Sequence, residues 1–110
     1  MPGATHLKDS ATLDAILKKQ QEKGSKYAAI CAAPAVVLAA KGMVGDGVTC
    51  YPAPGFREVL KNPSDERVVV TGQVTTSQGP GTAIEFALEL GKQLFGEEVS
   101  DKIRKEMLIK

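Results

Sequence analysis

The stretch Lys26-Tyr27-Ala28-Ala29-Ile30-Cys31-Ala32-Ala33-Pro34 decides how the chain is read. Tyr27 to Cys31 form a short apolar run without alternation, the pattern of a strand buried on both faces in a helix-covered parallel sheet. Ala28 and Ala29 are poor strand formers, so context rather than propensity carries that reading. Pro34 then stands where a helix can begin, because its missing N–H costs nothing in the first turn. A helix over 35–41 is expected, with Gly42 as its stop. Strand, tight turn and helix therefore meet around Cys31.

Upstream, Asp9 or Ser10 can cap a helix that runs to about Lys23 and stops at Gly24. Leu13, Ile16 and Leu17 share one of its faces, and Asp14 can pair with Lys18 one turn on. The residues before it are polar and read as an exposed loop carrying His6. Downstream, Val48-Thr49-Cys50-Tyr51 reads as a strand closed by Pro52 and Pro54, followed by a helical turn over 56–60 and a surface loop over 62–65. Arg67-Val68-Val69-Val70 and Gln73-Val74-Thr75-Thr76 flank Thr71-Gly72 and predict a hairpin. Ser77-Gln78-Gly79-Pro80-Gly81 is a constrained turn opening a helix, and Thr82 and Glu85 have capping-box spacing. Ile84, Ala87, Leu88, Gly91 and Phe95 make an apolar face, Gly96 ends that helix, and 97–107 supplies a last, charged one. Strands alternating with helices predict a three-layer α/β sandwich.

The totals narrow the function. At 110 residues the chain suits one domain or part of one. A net charge of +1, with basic and acidic residues interspersed, argues against a nucleic-acid or anionic-membrane partner, since both need a concentrated positive face. Aromatics at 5% and no tryptophan leave no platform for stacking bases. The start lacks the charged head and apolar run of a secretion signal, and the longest apolar stretch, 27–40, is broken by Pro34 and too short to span a bilayer. Two cysteines make no disulfide framework, so free thiols in a reducing, cytoplasmic setting are expected.

Cys31 is the leading candidate for chemistry. A thiol at a helix N-terminus meets unpaired amides and the positive end of the dipole, which favour a thiolate. Ala32 and Ala33 leave room for a ligand, and their amides could hold an oxyanion or a sulfinate. The plain alternative is a buried cysteine acting as a small apolar residue. Cys50 lies in the middle of an expected strand and reads as structural. One histidine and two cysteines do not support a tetrahedral zinc site. The Gly79-Pro80-Gly81 turn can stiffen a connection or admit a ligand close to backbone, but it is no nucleotide fingerprint. Tyr51 can wall the site or merely fill a strand. Glu85 reads as a cap, and Lys102, Lys105 and Lys110 as a solvated face.

Two segments together carry a resemblance. Ala28-Ala29-Ile30-Cys31-Ala32-Ala33-Pro34 resembles the nucleophile elbow of the ThiJ/PfpI superfamily, in its protein-deglycase branch. The run from Thr76 through Gly79, Pro80 and Thr82 to Leu88 resembles its second signature, and the order and separation of the two also fit. The resemblance extends from Met1 to the C-terminus and implies a flavodoxin-like sandwich with a mostly parallel sheet. Residues 1–110 would be the C-terminal portion of a single such domain, its first strands lying before Met1. It implies a cofactor-free protein, usually a homodimer, with Cys31 as nucleophile and peroxide-sensitive thiol. Ala32, Tyr51, Gly79 and Pro80 would line the substrate site. The implied activities are glutathione-independent glyoxalase action on methylglyoxal and deglycation of early adducts of amines, beside redox-sensing and chaperone roles. The partners implied are a small carbonyl substrate or glycated amine, and a second copy or the N-terminal half. A glutamate that contacts the cysteine and a Gly-Gly oxyanion turn would also precede Met1. Some members carry a histidine where this chain has Tyr51, which weakens a Cys-His mechanism. A glutamine-amidotransferase-like hydrolase shares the elbow but needs a histidine downstream of the cysteine, and this sequence has none.

Overall fold

The computed structural model describes residues 2–109. The hydroxyl of Ser10 accepts the amide of Leu13 at 3.1 Å, which starts α2 (Ala11–Glu22) where the sequence predicts, and Gly24 takes φ 69° just past its end. The segment before it is a helix, α1 (Pro2–Asp9), rather than a loop. Its packing on the segment that follows Cys31 accounts for this, helped by a hydrogen bond from Lys41 Nζ to the carbonyl of Lys8 at 3.2 Å. His6 is exposed on α1, as expected of a polar stretch.

Three strands form a mixed sheet in the order β1-β3-β2, from β1 (Tyr27–Ile30), β2 (Val68–Thr71) and β3 (Val74–Ser77). β1 runs parallel to β3 with Tyr27 opposite Val74, and β2 runs antiparallel to β3 with Val68 opposite Ser77. The predicted hairpin turns at Gly72, whose φ of 61° suits glycine. The central strand β3 is buried throughout, although three of its four residues carry hydroxyls. Each hydroxyl is partnered, as burial requires. Thr75 accepts from Gln93 at 2.9 Å, Thr76 accepts the amide of Thr49 at 3.1 Å, and Ser77 donates to the carbonyl of Arg67 at 2.7 Å.

Those partners lie on opposite faces, which makes the layers. Tyr27 and Val74 pack with Val37, Leu38 and Met43 on one side, while Thr75 meets α4 (Ala83–Phe95) on the other. The segment after Cys31 is helical and stops at Gly42, φ 68°, as expected, but winds as a π turn, Pro34–Leu38, followed by a 3₁₀ turn, Ala39–Lys41. The wider turn goes with contact on two sides. Val37 and Leu38 join the Tyr27 cluster, and Ala35 joins a second one with Val48, Cys50 and Leu60.

Three local expectations are corrected. Residues 48–51 form no strand, because β1 turns away at Cys31 and leaves them a single backbone bond to it, Tyr51 N–H to Cys31 C=O. The short helix α3 is Pro54–Arg57 rather than 56–60, since Pro54 is set for a first helical turn. The capping box is absent. The Thr82 hydroxyl is taken by Gly79 and Ser77, while Glu85 pairs with Arg67 at 2.9 Å. The last helix, α5 (Glu97–Glu106), follows Gly96 as predicted. Of the expected apolar face of α4 only Leu88 is buried; Ile84 and Phe95 are exposed, and Ile84 lines a groove shared with Ile103 and Met107.

Candidate functional site

The site is built where β1 ends. Cys31 has φ 64°, left-handed backbone that a residue with a Cβ adopts only at a cost of about 1–3 kcal/mol. Two hydrogen bonds hold it there: its N–H donates to Ser77 C=O at 3.1 Å, and its C=O accepts Tyr51 N–H at 2.7 Å. The chain thus reverses between the end of the parallel strand and the first helical turn, and Cys31 occupies the bend. The thiol is free and half-buried. Immediately after it, Ala32 is buried and its carbonyl accepts the amides of Ala35 and Val36. The amides of Ala32 and Ala33 donate to no backbone carbonyl among the described residues.

Tyr51 is joined to Cys31 by that 2.7 Å bond, and its ring lies against the second predicted segment. A Cβ placed on Gly79 would stand 3.5 Å from the ring, in ordinary contact, and Gly79 itself is extended at φ 173°. Neither space nor backbone strain therefore demands glycine at that position. The Tyr51 ring also meets Phe56 edge to face, centroids 6.5 Å apart and planes at 79°. Pro80 is exposed at the tip of the turn. Cys31, Ala32, Tyr51 and Gly79 are thus brought together through Ser77 and the Tyr51 ring, and Pro80 sits at the rim of that group.

Two residues that sequence reasoning placed elsewhere fix this arrangement. Thr82, read as a helix cap, accepts the Gly79 N–H on its hydroxyl at 3.1 Å and lies 2.6 Å from Ser77 Oγ. Its own N–H donates to Gly79 C=O at 2.9 Å. Phe56, read as part of a helical turn, buttresses Tyr51. The signal available in sequence was a hydroxyl next to Gly79-Pro80-Gly81; its partners lie across a turn that spacing alone does not close.

Cys50 is structural, as expected. It is wholly buried with Ala35, Val48 and Leu60, its thiol donates to Tyr51 C=O at 3.3 Å, and burial pushes its pKa up. Arg57 is committed to the loop below, pairing with Asp65 at 2.9 Å and reaching the carbonyls of Pro63 and Ser64. Lys102 and Lys105 are exposed, while Lys110 lies outside the described residues. Among the described residues, no cluster of three or more His, Cys, Asp or Glu is placed to hold a metal, and no helix is long and apolar enough to cross a membrane.

A parallel strand that breaks into a helix at a cysteine held in left-handed backbone defines an α/β protein with a strand-turn-helix elbow at Cys31. Residues 1–93 match the DJ-1/PfpI family, and the chain belongs to that family. It is 39% identical to protein DJ-1 homolog A of Arabidopsis thaliana over 100% of its own length and 29% of that protein's. It is 35% identical to the glutathione-independent glyoxalase DJR-1.2 of Caenorhabditis elegans, covering 98% of this chain and 59% of the relative. The structure of oxidized DJ-1 from Toxoplasma gondii superposes with a TM-score of 0.91 at 41% identity, over 98% of this chain and 59% of that one. DJ-1beta of Drosophila melanogaster gives 0.89 at 36%, over 100% and 60%. The fold is therefore the flavodoxin-like α/β fold of this family, and the chain spans less than two thirds of the length of these relatives.

Proposed function

We propose that residues 1–110 are the C-terminal portion of a single domain and carry the nucleophile of a cysteine-dependent glyoxalase or deglycase. The observation behind this reading is the left-handed Cys31, half-exposed between the end of β1 and the unengaged amides of Ala32 and Ala33. The glyoxalase named among the relatives supports the substrate class. In the proposed reaction the Cys31 thiolate attacks the aldehyde carbon of methylglyoxal, forming a C–S bond while the carbonyl oxygen takes a proton. The amides of Ala32 and Ala33 stabilise the oxyanion as it develops. The aldehyde-derived hydrogen leaves as a proton and the neighbouring carbon gains one, giving a 2-hydroxy thioester. Water then cleaves the C–S bond and releases lactate and the thiol. An early aminocarbinol adduct first loses its amine, the C–N bond breaking as the carbinol proton passes to nitrogen, and the aldehyde so regenerated meets the same attack. Tyr51, Gly79 and Pro80 border the substrate. The test is methylglyoxal consumption and lactate formation by the complete protein and its Cys31→Ser variant. Loss of turnover in the variant supports the reading; undiminished turnover ends it.

A second reading has its own support. Cys31 is the accessible thiol and Cys50 the buried one, and a solved relative is described as oxidized. Peroxide would convert Cys31 to sulfenate and then sulfinate, which changes stability or partner choice in a redox-sensing or chaperone role. Free thiols of this kind suit the cytoplasm.

The partner is read from β1. Within the described residues it pairs only with β3, and its other edge lies in an apolar groove lined by Leu13, Leu17, Phe86 and Leu90. An open, apolar strand edge promotes association. The length that the relatives have beyond this chain is the proposed occupant, within a homodimer of complete domains. Sedimentation of the 110-residue chain alone is expected to show oligomers or aggregates. A monodisperse monomer that unfolds cooperatively would contradict this.

A further inference from the structure

The ring of Tyr51 carries more information than a pocket wall of unspecified role. Its exposure is 45%, so it is not a core aromatic, yet it has two neighbours. Gly79 lies beside the ring, and Phe56 meets it edge to face. Gly79 is itself fixed through its N–H to Thr82 and through the Thr82 N–H to its carbonyl. The backbone bond of 2.7 Å from Tyr51 N–H to Cys31 C=O adds a third restraint. With standard peptide dimensions that bond keeps the two Cα atoms within about 7 Å of each other. Ser77 closes the figure by accepting the Cys31 amide at 3.1 Å, two residues before Gly79. The backbone of Tyr51 is therefore tied to the bend that presents the thiol, and its partly exposed ring stands beside the Gly79 turn.

We infer that Tyr51 is a preorganised aromatic platform that makes the Cys31 site select electrophiles bearing a flat aryl group, so that an aryl α-oxoaldehyde is preferred over methylglyoxal. The inference rests on the reading of Cys31 as a thiol that attacks small carbonyl compounds. Aromatic pairs in offset or edge geometry gain affinity beyond area burial, and a ring whose rotamer is already fixed loses little entropy when a second ring meets it. Methylglyoxal offers a single methyl group to the same surface and gains almost none of this. Tyr51 is a specificity residue here and takes no part in proton transfer.

The experiment uses the thiol alone as reporter. Alkylation of Cys31 by 2-iodoacetamide and by 2-iodo-N-phenylacetamide is followed by peptide mass spectrometry, each rate divided by that of glutathione with the same reagent. The aryl-to-alkyl ratio for Cys31 in the complete protein is expected to exceed the glutathione ratio by about two- to tenfold. Tyr51→Phe should keep that preference, while Tyr51→Ala and the bulkier Tyr51→Leu should bring it to near one. A native ratio near one, or a preference that survives both Tyr51→Ala and Tyr51→Leu, overturns the inference. Turnover of phenylglyoxal and methylglyoxal by the complete protein separates the two layers of the argument. Aryl-selective alkylation without turnover of either aldehyde removes the enzymatic reading and leaves the platform standing. Turnover without aryl selectivity removes the platform and leaves the enzyme.

Discussion

Replacing Thr82 by Val tests whether one hydroxyl fixes the turn opposite Cys31. The proton count determines what is lost. Ser77 Oγ spends its hydrogen on Arg67 C=O at 2.7 Å, so the one hydrogen of Thr82 Oγ1 is shared between Ser77 Oγ, 2.6 Å away, and the Gly79 carbonyl at 2.9 Å. Thr82 Oγ1 in turn accepts the Gly79 N–H at 3.1 Å. The Gly79 carbonyl stays partnered in the variant through the Thr82 N–H at 2.9 Å. Valine keeps the branched shape but deletes two hydrogen bonds, and it leaves the buried Gly79 N–H without an acceptor. A net bond contributes about 1 kcal/mol and an orphaned buried donor costs about 1–3 kcal/mol, so the loss should be about 2–4 kcal/mol. Thr82→Ser keeps the hydroxyl and should lose no more than about 1 kcal/mol. Urea unfolding of the complete protein followed by far-ultraviolet circular dichroism, at unchanged m-value, reads both numbers. If Val and Ser cost the same, the hydroxyl network does not hold the turn and the account of Gly79 and Tyr51 collapses with it.

Three further outcomes are expected. Leu38, 2% exposed between Val37, Met43 and Val74, should cost about 2–5 kcal/mol as Leu38→Ala, and a cost under about 1 kcal/mol in denaturant melts would show that this cluster is not the core. Lys41 and then Lys18 hydrogen-bond Asp14 and hold its carboxyl below the usual range. Because the folded pKa is the lower one, the stabilisation is full above the unfolded value of about 3.9 and fades as pH falls through the folded one. The stability gap between the native chain and Asp14→Asn should therefore shrink in acid, and a gap that grows there would show the sign to be wrong. The third concerns Cys50, buried and with its pKa raised by that burial. It should be alkylated and oxidised more slowly than Cys31 in the folded protein and as fast in urea; equal rates in the folded protein would remove the basis for a selective redox role.

The elbow and the hairpin were legible because each rests on local chemistry. An apolar run stopped by Ala-Ala-Pro, a Thr-Gly turn between β-branched runs, and Ser10 three residues before its partner amide are all instructions carried within a few positions. Helix α1 was not legible, since no face of it is buried and its support comes from the segment after Cys31. The 48–51 segment misled for the opposite reason. Its residues suit a strand, but the edge it would join is bent away at Cys31.

The same division runs through the site. By itself the sequence determined that Cys31 sits between strand and helix, that Gly79 and Pro80 form a constrained turn, and that Cys50 belongs to the packed interior, because these follow from residue type and immediate neighbours. Only the tertiary structure decided that Tyr51 bridges the two, that Phe56 backs it, and that Thr82 serves the turn rather than the helix. Those relations join residues that lie far apart along the chain, and a hydroxyl or a ring has several possible partners until packing leaves it one.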